Sequence, residues 1–183
     1  MNNNVLRIIG RNHTAEDTVR AFFSAREEGF DNINMDLIAG LPSDTAESYH
    51  QTLDRIIDLN PESITVHTLT IKRSAKIYED DIEKYLTAPA SEMVNESIRT
   101  LLENGYLPYY LYRQKNTVEN LENIGFAKKE RESLYNIFIM DETQTILGAG
   151  CAASTKIVQP NGKITRIHNY KFPYEYINRC LLY

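Results

Sequence analysis

Residues 32–42 read Asn-Ile-Asn-Met-Asp-Leu-Ile-Ala-Gly-Leu-Pro, and the rest of the chain is best read outward from them. Ile33, Met35 and Leu37 alternate with Asn34, Asp36 and Ile38, the period of two that marks a β-strand. Gly40-Leu41-Pro42 breaks the strand. Strands inside a parallel sheet are covered on both faces and are normally apolar throughout. Here one face carries Asn34 and Asp36, and the reading puts them toward the strand's C-terminal end, where α/β barrels and open sheets bind ligands. A carboxylate there suits a ribose hydroxyl pair or a cation. Capping of the next helix, or pairing with a nearby arginine, is the structural alternative.

On the N-terminal side, Val5–Ile9 reads as a short apolar strand ending at Gly10. Thr14 and Asp17 have capping-box spacing at the head of a helix that carries Val19, Phe22 and Phe23. Gly29 suits the left-handed position that ends it. On the C-terminal side, Asp44 with Glu47 starts a second helix, with a buried stripe of Tyr49, Leu53, Ile56 and Ile57. Asn60-Pro61 stops that helix, and Ser63–Thr70 is rich in β-branched residues, as strands are. Strand–helix–strand–helix–strand implies a parallel sheet with right-handed crossovers.

Residues 71–90 are mixed and include a charged stretch from Tyr78 to Tyr85. A helix from Ser91 carries Val94, Ile98, Leu101 and Leu102 and ends at Gly105. The pair Gly29-Phe30 recurs as Gly105-Tyr106 and Gly125-Phe126. Strands are expected at Tyr109–Tyr112 and, from its alternation, at Tyr135–Met140. Gly148 and Gly150 within the apolar run Thr145–Ile157 imply close backbone approach or a bend. Pro160-Asn161-Gly162 between two β-branched runs signals a hairpin, and Pro173 opens a last helix. That helix reaches Tyr183 with no stop signal, so it reads either as a buried anchor or as a cut end.

Composition narrows the functional classes. The chain has 183 residues, 42% hydrophobic and 25% charged, with a formal net charge of -5, as a soluble globular domain does. No stretch approaches the ~18 apolar residues of a membrane span, and the N-terminus lacks the pattern of an export signal. A cytoplasmic protein with no membrane partner is expected. A mildly acidic chain also argues against generic nucleic-acid binding, which needs clustered lysine and arginine. Cys151 and Cys180 are too few for a four-ligand zinc site or an iron–sulfur cluster. The four histidines show no ligand spacing, so no metal site is expected. Cys151, in an apolar context, reads as an inert packing thiol.

Arg11 follows the first expected strand, and its planar fork suits a carboxylate or phosphate, unless it is only a solvated loop residue. His13 beside it reads as a surface residue. His67 faces opposite to Val66, either toward a lumen or as a hydrogen-bonded core histidine. Tyr106, Tyr109, Tyr110, Tyr112 and Arg113 form an aromatic and basic stretch. It would line a flat apolar or anionic ligand, or simply pack as amphipathic tyrosines. Gly148-Ala149-Gly150 lacks the third glycine of a dinucleotide fingerprint.

Four strings in this order, LRIIGRNHTAEDT, NMDLIAGLP, YYLYRQKN and LGAGCAAST, resemble the oxygen-independent coproporphyrinogen III oxidase/dehydrogenase-like family of radical S-adenosylmethionine enzymes, HemN/HemZ type. The resemblance implies a parallel (β/α)6 partial barrel and a [4Fe–4S] cluster on a CxxxCxxC loop. It also implies S-adenosyl-L-methionine as cofactor, a tetrapyrrole substrate, an electron donor, and oxidative decarboxylation of propionates to vinyl groups. By resemblance, Arg11 and Asp36 match positions that contact S-adenosylmethionine (in the founding enzyme, a second such molecule), Thr70 matches a position that touches the cluster-bound one, and Ser154 falls near another such position. Tyr112 and Arg113 are candidates for contact with the substrate.

No CxxxCxxC occurs in the sequence, nor does the glycine-rich segment of the barrel's first half. The expectation is therefore a fragment: α/β, half of a radical-SAM-type barrel over residues 1–86 with an α+β extension over residues 87–183. Such a piece holds no catalytic residue of its own and is inactive alone, with no cofactor expected to stay bound to it. The competing expectations are part of a haem-transfer chaperone of the same superfamily, or a non-enzymatic binding module. An unpaired edge at Val5–Ile9 leads to an expectation of self-association.

Overall fold

The computed structural model describes residues 1–70 and 89–180. The charged stretch Tyr78–Tyr85 and the chain end at residues 181–183 lie outside the described residues. Two compact units form, Met1–Glu132 and Ser133–Tyr183.

The first unit opens with a helix, not a strand. Helix α1 spans Asn3–Ile8, and the Asn2 side chain accepts from the backbone N–H groups of Asn4 and Val5. Only Val5 of this helix is buried. A five-residue run with four apolar members fits either period, and the Asn2 cap decides for the helix. Arg11 therefore follows a helix, and Val5–Ile9 is no sheet edge.

Helix α2, Ala15–Glu27, carries the capping box: Thr14 accepts from Asp17 N–H while Asp17 accepts from Thr14 N–H. Gly29 sits at φ +91°, as expected of a glycine that closes a helix. Strand β1, Asn34–Ala39, alternates as its sequence does, with Met35, Leu37 and Ala39 buried. Because it begins at Asn34, Asn34 and Asp36 occupy its first half rather than its C-terminal end. Helix α3, Ala46–Leu59, is capped by Thr45 rather than Asp44, and Asn60 in the left-handed conformation ends it. Strand β2, Ser63–Thr68, runs parallel to β1. Helix α4, Ala90–Glu103, follows, and then come strands β3, Leu107–Tyr112, and β4, Asn123–Ala127.

The sheet order is β1-β2-β4-β3, with β4 antiparallel to both of its neighbours. Only β1 and β2 are parallel; β3 and β4 return as a mixed edge. Gly125, the third glycine–aromatic pair, lies inside β4 and not at a helix end.

The helices cover one face. Met35, Leu37, Ile64, Val66 and Phe126 meet Tyr49, Leu53, Ile56, Met93 and Leu101 in one cluster. The Tyr49 hydroxyl, fully buried, bonds Ser97 Oγ at 2.8 Å and ties α3 to α4. Tyr106 donates to Pro61 O at 2.8 Å, and burial pushes its hydroxyl up to about 12. Helix α4 has no side-chain cap of its own. The Glu119 carboxylate accepts from Ala90 N–H at 2.7 Å and Ser91 N–H at 3.0 Å instead.

In the second unit, Tyr135–Met140 is helical: α5 spans Leu134–Asp141, with the Ser133 side chain accepting from Asn136 N–H. The alternation of Tyr135, Ile137 and Ile139 imitates a strand, and the serine cap together with the left-handed Glu142 marks the helix. Strands β5, Ser154–Val158, and β6, Ile164–His168, form the expected antiparallel hairpin, with Gly162 at φ +77° in its turn. Helix α6 begins at Pro173 and runs to Cys180. Gly148 meets the backbone of Ser154 so closely that a Cβ would lie 2.7 Å from it. Cys151 is exposed, not packed, because it falls in the turn after Gly150.

Candidate functional site

The face of the sheet away from the helices is polar. Register places Asp36 beside Thr65, Thr65 beside Gly125, and Gly125 beside Tyr110. His67 and Tyr112 lie one step further along the same face. Four strands thus bring together residues from Asn34 to Gly125.

A chain of contacts crosses that face. Tyr110 OH lies 3.3 Å from Thr65 Oγ1, which donates to Asn34 Oδ1 at 3.1 Å. Asn34 Nδ2 donates to Asp36 Oδ1 at 2.7 Å. His67 Nε2 lies 3.5 Å from the same Oδ1, and His67 Nδ1 lies 3.4 Å from Tyr112 OH. The rings of Tyr110 and Tyr112 are within 8° of parallel, with centroids 6.2 Å apart.

The electrostatics follow from these neighbours. The His67 imidazole is the largest influence on Asp36 and holds its carboxyl below the ordinary range; burial opposes this, and Asn34 and Thr65 add to it. Asp36 is therefore an anion that accepts hydrogen bonds. Burial pushes both Tyr110 and Tyr112 up, and the Asp36 charge pushes them in the same direction. Both remain neutral hydroxyls.

Asp36 also lines a cavity of about 260 Å³ along the free edge of β1, together with Val5, Ile9, Arg11, His13 and Leu37. Arg11 and Asp36 thus share a cavity, although β1 and the segment after α1 carry them separately. Ligand pockets usually hold roughly 300–1,000 Å³, so this cavity fits part of a nucleoside-sized ligand rather than the whole. Asp36 supplies an acceptor and Arg11 a planar donor, a set that fits the hydroxyls and carboxylate of S-adenosylmethionine.

The other sequence candidates are distributed. Thr70 bridges to Thr117 and donates to Gln114 Oε1 at 2.9 Å. Arg113 pairs with Glu122 at the surface, so its charge is already matched. Ser154 belongs to the second unit, with its backbone against Gly148. His67, Gly125 and Tyr110 gain their meaning only from cross-strand register. Asn123, beside Tyr112, accepts from Thr68 N–H at 2.7 Å and leaves Nδ2 buried with no partner among the described residues.

The residues do not fit an iron–sulfur cluster. The chain has two cysteines where a cluster takes three or four thiolates, and no group of three or more His, Cys, Asp or Glu among the described residues could hold a metal. Among the described residues no helix is long and apolar enough to cross a membrane.

No protein-family model matches the chain. It is 44% identical over 181 residues to the oxygen-independent coproporphyrinogen-III oxidase-like protein HemZ of Bacillus subtilis, which covers 97% of this chain and 36% of that protein. It is 36% identical over 112 residues to the oxygen-independent coproporphyrinogen III oxidase of Escherichia coli, covering 57% of the chain and 24% of the relative. The heme chaperone HemW of Haemophilus influenzae is 28% identical over 189 residues, covering 100% of the chain and 44% of that protein. Among solved structures, coproporphyrinogen III oxidase (HemN) from Escherichia coli, described as a radical SAM enzyme, superposes with a TM-score of 0.67. That match has 24% identity over 98% of this chain and 41% of the other, and it shows the fold: α/β, part of the HemN type. The chain spans about a third of the length of the HemZ relative and under half of the other two.

Proposed function

The chain is homologous to the HemZ and HemN coproporphyrinogen III oxidase proteins, and from that premise we propose that it forms part of the cofactor and substrate wall of a radical S-adenosylmethionine tetrapyrrole dehydrogenase. The observation that carries the reading is the shared cavity of Arg11 and Asp36, with Asp36 held as an anion on the polar sheet face. Asp36 accepts from ribose hydroxyls, and Arg11 meets a carboxylate or phosphate-like group with its fork. Thr70 contacts the cluster-bound S-adenosylmethionine through backbone atoms. The parallel rings of Tyr110 and Tyr112 offer a flat wall to a tetrapyrrole, and Tyr112 and Arg113 contact that substrate. The radical chemistry belongs to a cluster carried elsewhere in a longer protein, so the 183-residue chain is inactive by itself.

The test is steady-state kinetics on a longer protein that carries this chain and a cluster motif. Asp36→Asn should raise the KM for S-adenosylmethionine about tenfold, the loss of one charge-assisted hydrogen bond. An unchanged KM removes Asp36 from the cofactor site.

The haem-chaperone relative supports a second reading, in which the tyrosine wall and His67 hold haem without oxidising it. His67 has both ring nitrogens engaged, by Asp36 and Tyr112, which disfavours axial ligation. A haem titration followed by the Soret shift, beside a decarboxylation assay on the longer protein, separates the two.

Self-association is part of the proposal, although its basis moves. Among the described residues the sheet ends at β1 and at β3, not at Val5–Ile9. Light scattering at micromolar concentration should report a dimer; a compact monomer excludes it.

A further inference from the structure

His67 stands between a carboxylate and a phenol, and the chemistry of those neighbours fixes which way its hydrogen bonds run. Asp36 is an anion and can only accept. The imidazole nitrogen that faces it, Nε2, must therefore carry the proton. In the neutral ring the other nitrogen, Nδ1, is then an acceptor, so the Tyr112 hydroxyl 3.4 Å away is the donor. The direction along the face is Tyr112 to His67 to Asp36.

The carboxylate is gripped from two sides at one atom. Asn34 Nδ2 reaches Oδ1 at 2.7 Å, and His67 Nε2 stands 3.5 Å from that same oxygen. Asn34 is itself fixed by Thr65, and Thr65 by Tyr110. His67 closes the opposite side of the arrangement, its ring edge-on to Tyr112 at 74° with centroids 6.4 Å apart. The Asp36 side chain is 60% exposed, so a ligand donor meets the carboxylate at Oδ2. The titratable groups facing His67 are Asp36 on β1 and Tyr110 and Tyr112 on β3; β4 presents Asn123 and Gly125 to this face.

We propose that His67 is a positioning residue: it holds the Asp36 carboxylate in its ligand-accepting orientation through Nε2, while the Tyr112 hydroxyl steadies the ring at Nδ1. The role resembles the carboxylate and carbonyl partners that orient metal-bound histidines, with the order reversed. It deepens the cofactor reading of Asp36 and rests on it. It also gives Tyr112 a task beyond lining a substrate wall.

The experiment uses the chain as it stands, without ligand. The Asp36 carboxyl is titrated by ¹³C NMR, and the His67 ring nitrogens are observed by ¹⁵N NMR above pH 7. In the wild type the Asp36 midpoint should lie below that of an ordinary aspartate, and His67 should be in the Nε2–H form. His67→Phe should return the midpoint to the ordinary range, while His67→Gln, which keeps a donor near the same place, should restore most of the depression. Tyr112→Phe should leave the fold and the Nε2–H form intact and return the Asp36 midpoint part of the way to the ordinary range. An Asp36 titration indifferent to His67→Phe or to Tyr112→Phe, or a wild-type ring in the Nδ1–H form, overturns the proposal. In the longer protein, His67→Phe should raise the S-adenosylmethionine KM roughly three- to tenfold with little change in kcat. If the ligand-free titrations behave as stated and the KM does not move, the cofactor reading of Asp36 fails and the positioning of its carboxylate stands.

Discussion

Tyr110 lies flat across the bare backbone of Gly125: a Cβ built on that glycine would sit 1.8 Å from Tyr110 Cε1 and 2.4 Å from Cδ1. The two residues are register partners on adjacent strands. The glycine is required by the tyrosine above it, and the ring covers Thr65, which is 1% exposed.

Gly125→Ala should therefore force the ring off the sheet and destabilise the first unit by about 1–3 kcal/mol, the usual range for overpacking. Tyr110→Ala removes the obstacle, so the double variant should be less destabilised than the two single effects summed. Denaturant unfolding of all four proteins checks it; additive effects would mean that ring and glycine do not meet.

Glu119 caps α4 from a distance. Hydrogen bonds from the α4 N-terminus, with Ser91 foremost, hold its carboxyl below the ordinary glutamate range against a smaller opposing effect of burial. A carboxyl depressed in the folded state adds stability above the unfolded value of about 4.5, and that stability is lost as the pH falls through the lower folded value. Glu119→Gln should lower stability at pH 7 by about 1 kcal/mol, in line with a lost cap, and should flatten the loss below pH 4.5. A pH series of unfolding midpoints reads both effects.

Lys156, 6% exposed, donates to Phe138 O at 3.2 Å and Ile139 O at 3.3 Å near the C-terminal end of α5. Lys156→Met keeps the apolar stem and strips both carbonyls of a donor. The second unit should lose about 1–3 kcal/mol, visible as faster amide exchange in α5 and β5. Unchanged exchange would mean that water replaces the ammonium without loss.

The sequence was informative wherever one local signal decided the element. Thr14 with Asp17, Gly29, the Tyr49–Leu53–Ile56 stripe, Asn60 and the Pro160–Gly162 turn each act within a few residues, and each is where it was expected. Val5–Ile9 and Tyr135–Met140 misled because a mainly apolar run of five or six residues fits both periods, and a single side-chain cap outside the run chose the helix in each case. The return of β4 between β2 and β3 had no local sign, since antiparallel pairing is a property of two distant segments. Within the site, Asp36 was legible from alternation alone. Gly125 read as punctuation, yet it serves as the floor for Tyr110. The partnership of His67 with Asp36 and Tyr112 needs a register that links residues 31 and 45 positions apart.

In the proposed reading, this chain is the wall of a radical enzyme and not its engine. The direct measurement is an anaerobic assay, with reductant and S-adenosylmethionine, for 5′-deoxyadenosine and for CO₂ released from coproporphyrinogen III. It is run on the 183-residue chain and, in parallel, on a longer protein that carries it with a CxxxCxxC motif. Both products are expected from the longer protein and neither from the chain alone. Cleavage of S-adenosylmethionine by the chain alone, or haem binding without decarboxylation by the longer protein, would contradict it.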